Sequence, residues 1–248
     1  MSALRIDLDG PVLRVTMTRP ERRNAFDASL IAELTEAFTD VGPARAVILA
    51  GEGASFSAGA DVEWMRSSID LSRDENVQDA LRLRAMLEAI DGCPAPVVAR
   101  VQGHALGGGV GLVACSDIVV AEPGAQFAFS EVKLGIVPAV ISPFALAKIG
   151  PSAARHLFVT GERFGADVAL RIGLVHEVSD DLDGAVERVV GELLSSGPEA
   201  TRGAKELARA PLDAEDTAER IAGRRTSDEG QEGLRAFLEK RRPGWSQS

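Results

Sequence analysis

Cysteine is scarce in this chain, and its scarcity excludes the small disulfide-bonded class of protein. Cys93 and Cys115 are the two cysteines among 248 residues, and they do not form a CxxC motif. Two thiols are too few for a disulfide framework. We expect both to be free thiols in a reducing compartment, where they contribute to packing rather than to chemistry.

Basic residues are also in the minority. The sequence has 27 Lys and Arg against 37 Asp and Glu, which gives a formal net charge of -10. A protein whose main partner is nucleic acid needs a basic surface to neutralise phosphates, so this balance argues against such a partner. A small anionic ligand is still compatible with it, because a few local donors are enough to hold one.

Long apolar runs are missing too. The longest apolar stretches lie near 110–121 and 136–141, and polar residues or proline interrupt both of them. Neither stretch is long enough to span a bilayer. The segment 1–7 has no basic region followed by an apolar one, so we expect no signal peptide. Together these features predict a soluble, cytoplasmic protein.

The common nucleophile, metal and nucleotide motifs are absent from the sequence. It contains no GxSxG, HExxH or Walker loop, and its three histidines, at 104, 156 and 176, are too scattered to predict a metal site. The run Gly107–Gly111 lacks the GxGxxG spacing because position 112 is Leu. We therefore expect neither a metal nor a nucleotide cofactor.

The hydrophobic pattern predicts an α/β body followed by a helical region. Alternating runs at 4–8 and 13–17 flank Asp9-Gly10 and predict a β-hairpin. Because strands alternate with helices, parallel pairing with right-handed crossovers is favoured up to about residue 190. The helical region then covers 191–248. Further strands are predicted at 46–50, 97–101 and 118–121, and helices at 28–38, 74–90, 142–149, 151–159, 166–173, 182–195, 199–209, 213–225 and 229–240.

Two turns of very small residues are the first candidate functional feature. Ser57–Ala60 and Leu106–Gly109 each follow a strand and precede a helix. Small residues let a ligand approach the main chain closely, and the first amides of a helix are unsatisfied donors at the positive end of its dipole. Two such turns facing each other would stabilise negative charge on an oxygen atom. The alternative is that both are simply tight turns where backbones pack.

Glu131 is the second candidate. It lies within an apolar segment, 127–138, where a buried carboxylate would lose solvation and have a raised pKa, suited to proton transfer. Glutamate is rarely placed in such a segment without a reason. The alternative is a surface glutamate at the end of a strand.

Six segments, in order along nearly the whole chain, resemble motifs of the crotonase superfamily of enoyl-CoA hydratases and isomerases. The resemblance implies an α/β fold, a crotonase-like spiral of β-β-α turns with a helical carboxy-terminal trimerisation region. It also implies an acyl-CoA thioester substrate, no cofactor other than the coenzyme A that the substrate carries, and a homotrimer or a dimer of trimers. The segments are Arg19–Asp27, Phe56–Asp61, Gln102–Gly109, Cys115–Asp117, Ser130–Pro138 and Glu229–Lys240.

The same resemblance assigns roles to individual positions. The amides of Ala60 and Gly108 would bind the thioester oxygen, and Glu131 matches one of the two glutamates of the hydratases. The remaining contacts to substrate and coenzyme A would come from Arg23, Ser57, Ala58, Gly59, Ala60, Asp61, Gly107 and Gly108, with Phe237 and Lys240 supplied by a neighbouring subunit.

The chain departs from the hydratase pattern at one position. The second glutamate would fall at position 111, which is Gly here. A single carboxyl at Glu131 could still pass one water proton during syn addition, so hydration is the first expectation. A single carboxylate that moves a proton between two carbons is the arrangement of the Δ3,Δ2-enoyl-CoA isomerases, which is the alternative. A member that binds acyl-CoA without catalysis is the second alternative.

Finer similarity points to the bacterial methylglutaconyl-CoA hydratase branch, which acts in leucine breakdown. The segments that carry it are 64–65, 109–113 and 131–143. The substrate of that branch has a second carboxylate, and Lys133 is the candidate to bind it. If the segment is extended, Lys133 and Glu131 share one face. The alternative is a solvated lysine.

Overall fold

The computed structural model describes residues 2–209 and 211–246. Its strands, in chain order, are β1 (Leu4–Asp9), β2 (Val12–Met17), β3 (Ala46–Gly51), β4 (Val97–Val101), β5 (His104–Leu106), β6 (Ile118–Ala121), β7 (Gln126–Ala128), β8 (Phe164–Gly165) and β9 (Glu177–Val178). Its α-helices are α1 (Ala28–Thr39), α2 (Val62–Ser67), α3 (Arg73–Asp91), α4 (Gly108–Cys115), α5 (Ser142–Thr160), α6 (Ala166–Arg171), α7 (Leu182–Ser195), α8 (Pro198–Leu207), α9 (Ala214–Thr226) and α10 (Asp228–Leu238).

The main sheet has six strands in the order β1-β2-β3-β4-β6-β9. The predicted hairpin is confirmed, because β1 and β2 pair antiparallel with Leu4 opposite Met17, and Gly10 takes the left-handed conformation that the turn requires. The pairs β2–β3, β3–β4, β4–β6 and β6–β9 are all parallel, as the alternation of strands and helices predicts. The α/β architecture with a helical carboxy-terminal part is therefore confirmed.

A second sheet was not predicted from the sequence. It contains β5, β7 and β8, with β5 and β7 parallel and β7 and β8 antiparallel. These strands have only two or three residues each, too few to show an alternating pattern. The small sheet matters for the site, because β5 leads directly into the glycine turn before α4.

The main sheet is covered on both faces. One face packs against α1, α3, α4 and α5 in the larger core cluster. The other face belongs to a second cluster in which Ile48 and Val98 meet Val186 and Val189 of α7. Successive residues of a strand point to opposite faces, so a buried parallel strand such as β3 is apolar throughout.

The predicted domain boundary at residue 190 falls inside α7. This helix packs on the sheet on both sides of that position, and the Arg45 guanidinium donates hydrogen bonds to the carbonyls of Leu194 and Ser196, at 2.7 and 2.9 Å. Residues 182–195 are thus part of the sheet layer. That residues 191–248 form a separate oligomerisation region is still a prediction.

The carboxy-terminal helices leave large apolar side chains exposed. Leu234, Phe237 and Leu238 of α10 are 49%, 81% and 77% exposed, and Ile221 of α9 is 50% exposed. Across the part of the chain that the structure describes, no helix combines the length and the apolar character needed to cross a membrane.

Candidate active site

The segment Arg19–Asp27 fixes the first small-residue turn. Asn24 is fully buried in the left-handed conformation, and its side-chain amide donates to the carbonyls of Glu52 and Ser55, at 2.9 and 2.8 Å. Its Oδ1 accepts from the Arg19 amide. The Ala58 amide in turn donates to the Arg23 carbonyl, at 2.8 Å. The turn is therefore positioned from a distant part of the chain.

The two small-residue turns lie against each other, which is the arrangement that an oxygen-binding site built from both of them requires. The Ser57 amide donates to the His104 carbonyl at 2.9 Å, and the Leu106 amide donates to the Ser57 carbonyl at 3.0 Å. A Cβ on Gly59 would lie 2.5 Å from the Leu106 oxygen and 3.1 Å from the Gly108 nitrogen. Only glycine permits this approach, and the φ of +82° at Gly59 adds the same requirement.

The amides of Ala60 and Gly108 are left without acceptors. Neither donates a hydrogen bond to any residue that the structure describes. The amides around Ala60 are paired, because the Phe26 amide donates to the Gly59 carbonyl and the Asp61 amide donates to the Phe26 carbonyl. Gly108 is the first residue of α4, where an amide has no intrahelical partner and the helix dipole is positive. Both residues line one cavity of about 270 Å³. Two free donors at one cavity wall can stabilise charge that develops on a carbonyl oxygen.

Glu131 lines the same cavity. It lies in a five-residue 3₁₀ helix, Ser130–Leu134, rather than at the end of a strand. Its Oε2 is buried without a hydrogen-bond partner, and burial raises the pKa of this carboxyl. An unpartnered, desolvated carboxylate beside two free amides is suited to take a proton from a bound substrate or water and return it.

The place of a second glutamate is filled. Gly111 is buried in α4, and a Cβ there would lie 2.6 Å from Cγ2 of Ile141 and 3.4 Å from Cδ2 of Leu87. The side chains of Ile141 and Leu87 occupy the space that a larger residue at position 111 would need. The departure seen in the sequence is therefore matched by packing, and Glu131 has no carboxylate partner from α4.

Four of the predicted ligand contacts are buried in this structure. Ser57 is fully buried, with its hydroxyl bonded to the Asn24 carbonyl, and Gly59 and Gly107 are buried beside it. Asp61 is only 3% exposed. These residues pack the two turns together, and their contact with coenzyme A is still a prediction. Sequence alone could not show which residues of each turn face inward.

Asp61 instead serves as an anchor. It caps α2 by accepting from the Glu63 amide, and its Oδ2 accepts from Arg19 and Arg22 at 3.0 and 2.9 Å. Burial alone would raise its pKa, but these hydrogen bonds and the Arg22 charge reverse the effect and leave the pKa of Asp61 lowered. The carboxylate therefore stays ionised and holds segment 19–22 against the second half of the turn.

The other predicted contacts are accessible. Ala58, Ala60 and Gly108 are partly exposed, and Arg23 is exposed next to Ala58. Phe237 and Lys240 are exposed near the end of α10 and do not line the cavity within this chain. Their predicted role in a neighbouring subunit is not tested by one chain.

Lys133 does not lie where the sequence argument placed it. In a 3₁₀ helix with three residues per turn, residues two apart do not share a face. Lys133 is exposed, and its Cε lies 3.3 Å from the Cβ position of Gly161, outside the cavity lining. The extended conformation on which a face shared with Glu131 depended is therefore absent, and a role for Lys133 in substrate binding is still a prediction.

Two cavity residues were missed by the sequence argument. Phe26 is fully buried, and a Cβ on Gly108 would lie 2.3 Å from its Cζ, so this ring explains why position 108 must be glycine. Asp79 of α3 is 9% exposed and lines the cavity. It lies four residues before Leu83 on the predicted apolar face of that helix, which is the signal that could have identified it.

Among residues 2–209 and 211–246, no group of three or more His, Cys, Asp or Glu side chains is arranged to hold a metal ion.

Known proteins resemble this chain in fold and in sequence. The family described as enoyl-CoA hydratase/isomerase matches residues 8–248. The crotonyl-CoA hydratase of Syntrophomonas wolfei is 34% identical over 239 residues, which cover 91% of each chain. An enoyl-CoA hydratase structure from Shewanella pealeana is 40% identical, with a TM-score of 0.92 over 98% of this chain and 96% of that one. Pseudomonas aeruginosa AtuE is 35% identical, with a TM-score of 0.93 over 98% and 99%.

These matches extend over nearly the whole chain, at identities well above those that show the fold alone. They confirm the crotonase fold, while assignment to the methylglutaconyl-CoA hydratase branch is still a prediction. The chain belongs to the enoyl-CoA hydratase/isomerase family.

Proposed function

We propose that this protein is an enoyl-CoA hydratase that adds water across the 2,3 double bond of an enoyl-CoA thioester. The observation that carries the proposal is the grouping of Glu131 with the free amides of Ala60 and Gly108 at one cavity. Relatives named as hydratases support the same class of reaction. The reaction needs no cofactor beyond the coenzyme A of the substrate.

In the proposed mechanism the thioester oxygen accepts hydrogen bonds from the amides of Ala60 and Gly108. The Glu131 carboxylate takes a proton from a water molecule as the water oxygen bonds to C3. The electron pair of the double bond moves toward the carbonyl, and the two amides stabilise the resulting enolate. Glu131 then delivers its proton to C2. The hydroxyl and the proton of one water molecule are thereby added to the two carbons.

Isomerisation is the second candidate, and the packing at Gly111 favours it. With Ile141 and Leu87 in the place of a second glutamate, one carboxyl is left beside the two amides. Glu131 could remove a proton from C2 of a 3-enoyl-CoA and return it to C4. The same two amides would stabilise the same kind of enolate.

Mass analysis in H₂¹⁸O separates these functions. The protein is incubated with a panel of 2-enoyl- and 3-enoyl-CoA thioesters, including crotonyl-CoA and 3-methylglutaconyl-CoA. Hydration gives a product that carries the label, which is the expected result. A moved double bond without label means isomerisation. No reaction anywhere in the panel, together with tight acyl-CoA binding, would contradict both and favour a non-catalytic binder.

We also propose assembly into a trimer or a dimer of trimers through the helical region. The exposed apolar side chains of α9 and α10 support this, since Phe237 and Leu238 are about four-fifths exposed in a single chain. Arg23 and Ala58 would then lie near the adenine end of coenzyme A, with Phe237 and Lys240 arriving from the next subunit. Light scattering should give a trimer or hexamer mass, and a stable monomer at micromolar concentration would contradict the proposal.

A further inference from the structure

The cavity wall has polar groups that the proposed mechanism does not use. Besides Ala60, Gly108 and Glu131, the wall includes Asn76 and Asp79, one turn apart on α3, together with Ser68. The remaining lining side chains are apolar or aromatic, among them Leu83 and the segment 136–141. An isolated polar group in such a wall is the usual means of fixing the orientation and identity of a ligand.

Asp79 contributes a carboxylate to the cavity wall. It is 9% exposed, and its Oδ1 accepts a hydrogen bond from Arg82. The Arg82 side chain is 58% exposed and does not line the cavity, so the cation approaches from the outer side of the helix. The second oxygen, Oδ2, accepts no hydrogen bond from the described part of the chain. Asp79 thus keeps an acceptor that a ligand could use.

Two other polar side chains of the wall, Asn76 and Ser68, also use their donor hydrogens within the protein and can only accept from a ligand. The Nδ2 of Asn76 donates toward the carbonyls of Ser68, Leu71 and Ser72, at 3.4, 3.1 and 3.1 Å, which fixes the amide and leaves its Oδ1 without a donor. The Ser68 hydroxyl donates to the Met65 carbonyl, at 2.7 Å. The donor hydrogens of Asn76 and Ser68 are therefore directed to the protein itself.

We propose that Asp79 selects acyl groups that carry a hydrogen-bond donor, a hydroxyl, beyond the reactive carbons. A hydroxyl would donate to Oδ2 of Asp79, whereas an alkyl end would offer this oxygen no hydrogen bond. A second carboxylate on the acyl group would meet the like charge of Asp79, and Lys133 lies outside the cavity. This inference rests on the proposed function and disfavours the dicarboxylic substrate expected from the sequence resemblance.

The test compares matched pairs of substrates. The pairs are crotonyl-CoA with 4-hydroxycrotonyl-CoA, and the 2-pentenoyl and 2-hexenoyl thioesters with their terminally hydroxylated counterparts. For at least one chain length, kcat/KM should favour the hydroxyl compound by about tenfold or more, since a hydrogen bond to a charged group contributes about 1.5–3 kcal/mol. Glutaconyl-CoA should be turned over more slowly than 2-pentenoyl-CoA.

Variants identify the residue responsible. Asp79→Leu has nearly the same size and should abolish the preference for the hydroxyl compound, so kcat/KM should fall further for that compound than for the alkyl compound. Asp79→Asn keeps an acceptor, should retain part of the preference, and serves if Asp79→Leu does not fold. Arg82→Met removes the outer ion pair alone and should retain the full preference. Equal kcat/KM within every pair, or the same loss for both members in the Asp79 variants, would overturn the inference.

Binding separates this inference from the proposed reaction. Calorimetric titration with saturated pentanoyl-CoA and 5-hydroxypentanoyl-CoA requires no turnover, and the other chain lengths extend the series. If no enoyl-CoA reacts but a hydroxylated thioester binds more tightly through Asp79, the reaction fails and the selectivity stands. If enoyl-CoAs react and neither binding nor kcat/KM depends on the hydroxyl, the reaction stands and the selectivity fails.

Discussion

Adding one methyl group at position 111 tests whether packing has closed the place of the second glutamate. Gly111 lies inside α4, and its Cβ would be 2.6 Å from Cγ2 of Ile141. In a helix interior Gly→Ala normally stabilises by about 1 kcal/mol, whereas forcing extra volume into a packed core costs about 1–3 kcal/mol. Gly111→Ala alone should therefore lower the free energy of unfolding by about 0–2 kcal/mol.

The sign should reverse when Ile141 is shortened. Ile141→Ala alone should cost about 2–5 kcal/mol, because it leaves a cavity. It also removes Cγ2, and the two contacts that remain, to the Cβ of residue 141 and to Leu87, both at 3.4 Å, are ordinary ones. In that background Gly111→Ala should stabilise by about 1 kcal/mol. The coupling between the two sites is then about 1–3 kcal/mol, within the range expected for residues in contact.

The assay is urea unfolding of the wild type, both single variants and the double variant at one protein concentration. The concentration is fixed because assembly links apparent stability to mass action. If Gly111→Ala stabilises the wild type as much as it stabilises the Ile141→Ala variant, the coupling is zero. The argument that Ile141 excludes a side chain at position 111 would then be refuted.

Three further predictions follow from the site and its surroundings. Burial raises the pKa of Glu131 above the usual 4.5, and the base must be ionised, so kcat/KM should begin to fall with decreasing pH while the pH is still above 4.5. A kcat/KM that stays constant down to pH 4.5 would count against Glu131 as the base. Gly108→Ala places a Cβ 2.3 Å from Phe26, so both the melting temperature and the acyl-CoA affinity should fall, and Phe26→Leu should partly restore the melting temperature. An unchanged affinity would contradict the packing argument. Burial lowers the pKa of His176 below 6.5, and its Nδ1 accepts from the Val119 amide, so the stability that this histidine contributes above pH 6.5 should be lost at lower pH by up to about 1.4 kcal/mol per pH unit. If the urea midpoints at about pH 7 and pH 5 differ by as much in His176→Gln as in the wild type, this histidine is excluded as the cause.

The long elements and the two turns could be predicted from the sequence because their signals are local. Apolar periodicity predicts α1 and α3, alternation predicts the hairpin, and runs of tiny residues predict the turns that hold Ala60 and Gly108. Glu131 could be identified by its apolar neighbours. Each of these inferences depends on residues within a few positions of one another.

The features that were missed depend on contacts between distant parts of the chain. Ile141 fills the space beside Gly111 although thirty residues separate them in the sequence. The direction of Ser57 is set by hydrogen bonds to the Asn24 and His104 segments, and no local pattern contains that information. The 3₁₀ helix around Glu131 is too short to have a periodic signature. For the same reason the sequence did not show that Lys133 and Glu131 lie on different faces.

The central claim is that the Glu131 carboxylate carries the proton in a site whose oxygen-binding donors belong to the backbone. Glu131→Gln changes one carboxylate oxygen to an amide nitrogen and leaves Ala60 and Gly108 unchanged. With the enoyl-CoA that the wild type converts fastest, we predict that kcat falls by about 10²–10⁴-fold. Calorimetric affinity for a saturated acyl-CoA should remain nearly that of the wild type. An unchanged kcat in the folded variant would contradict the account, because the Glu131 carboxylate would then not be the group that moves the proton.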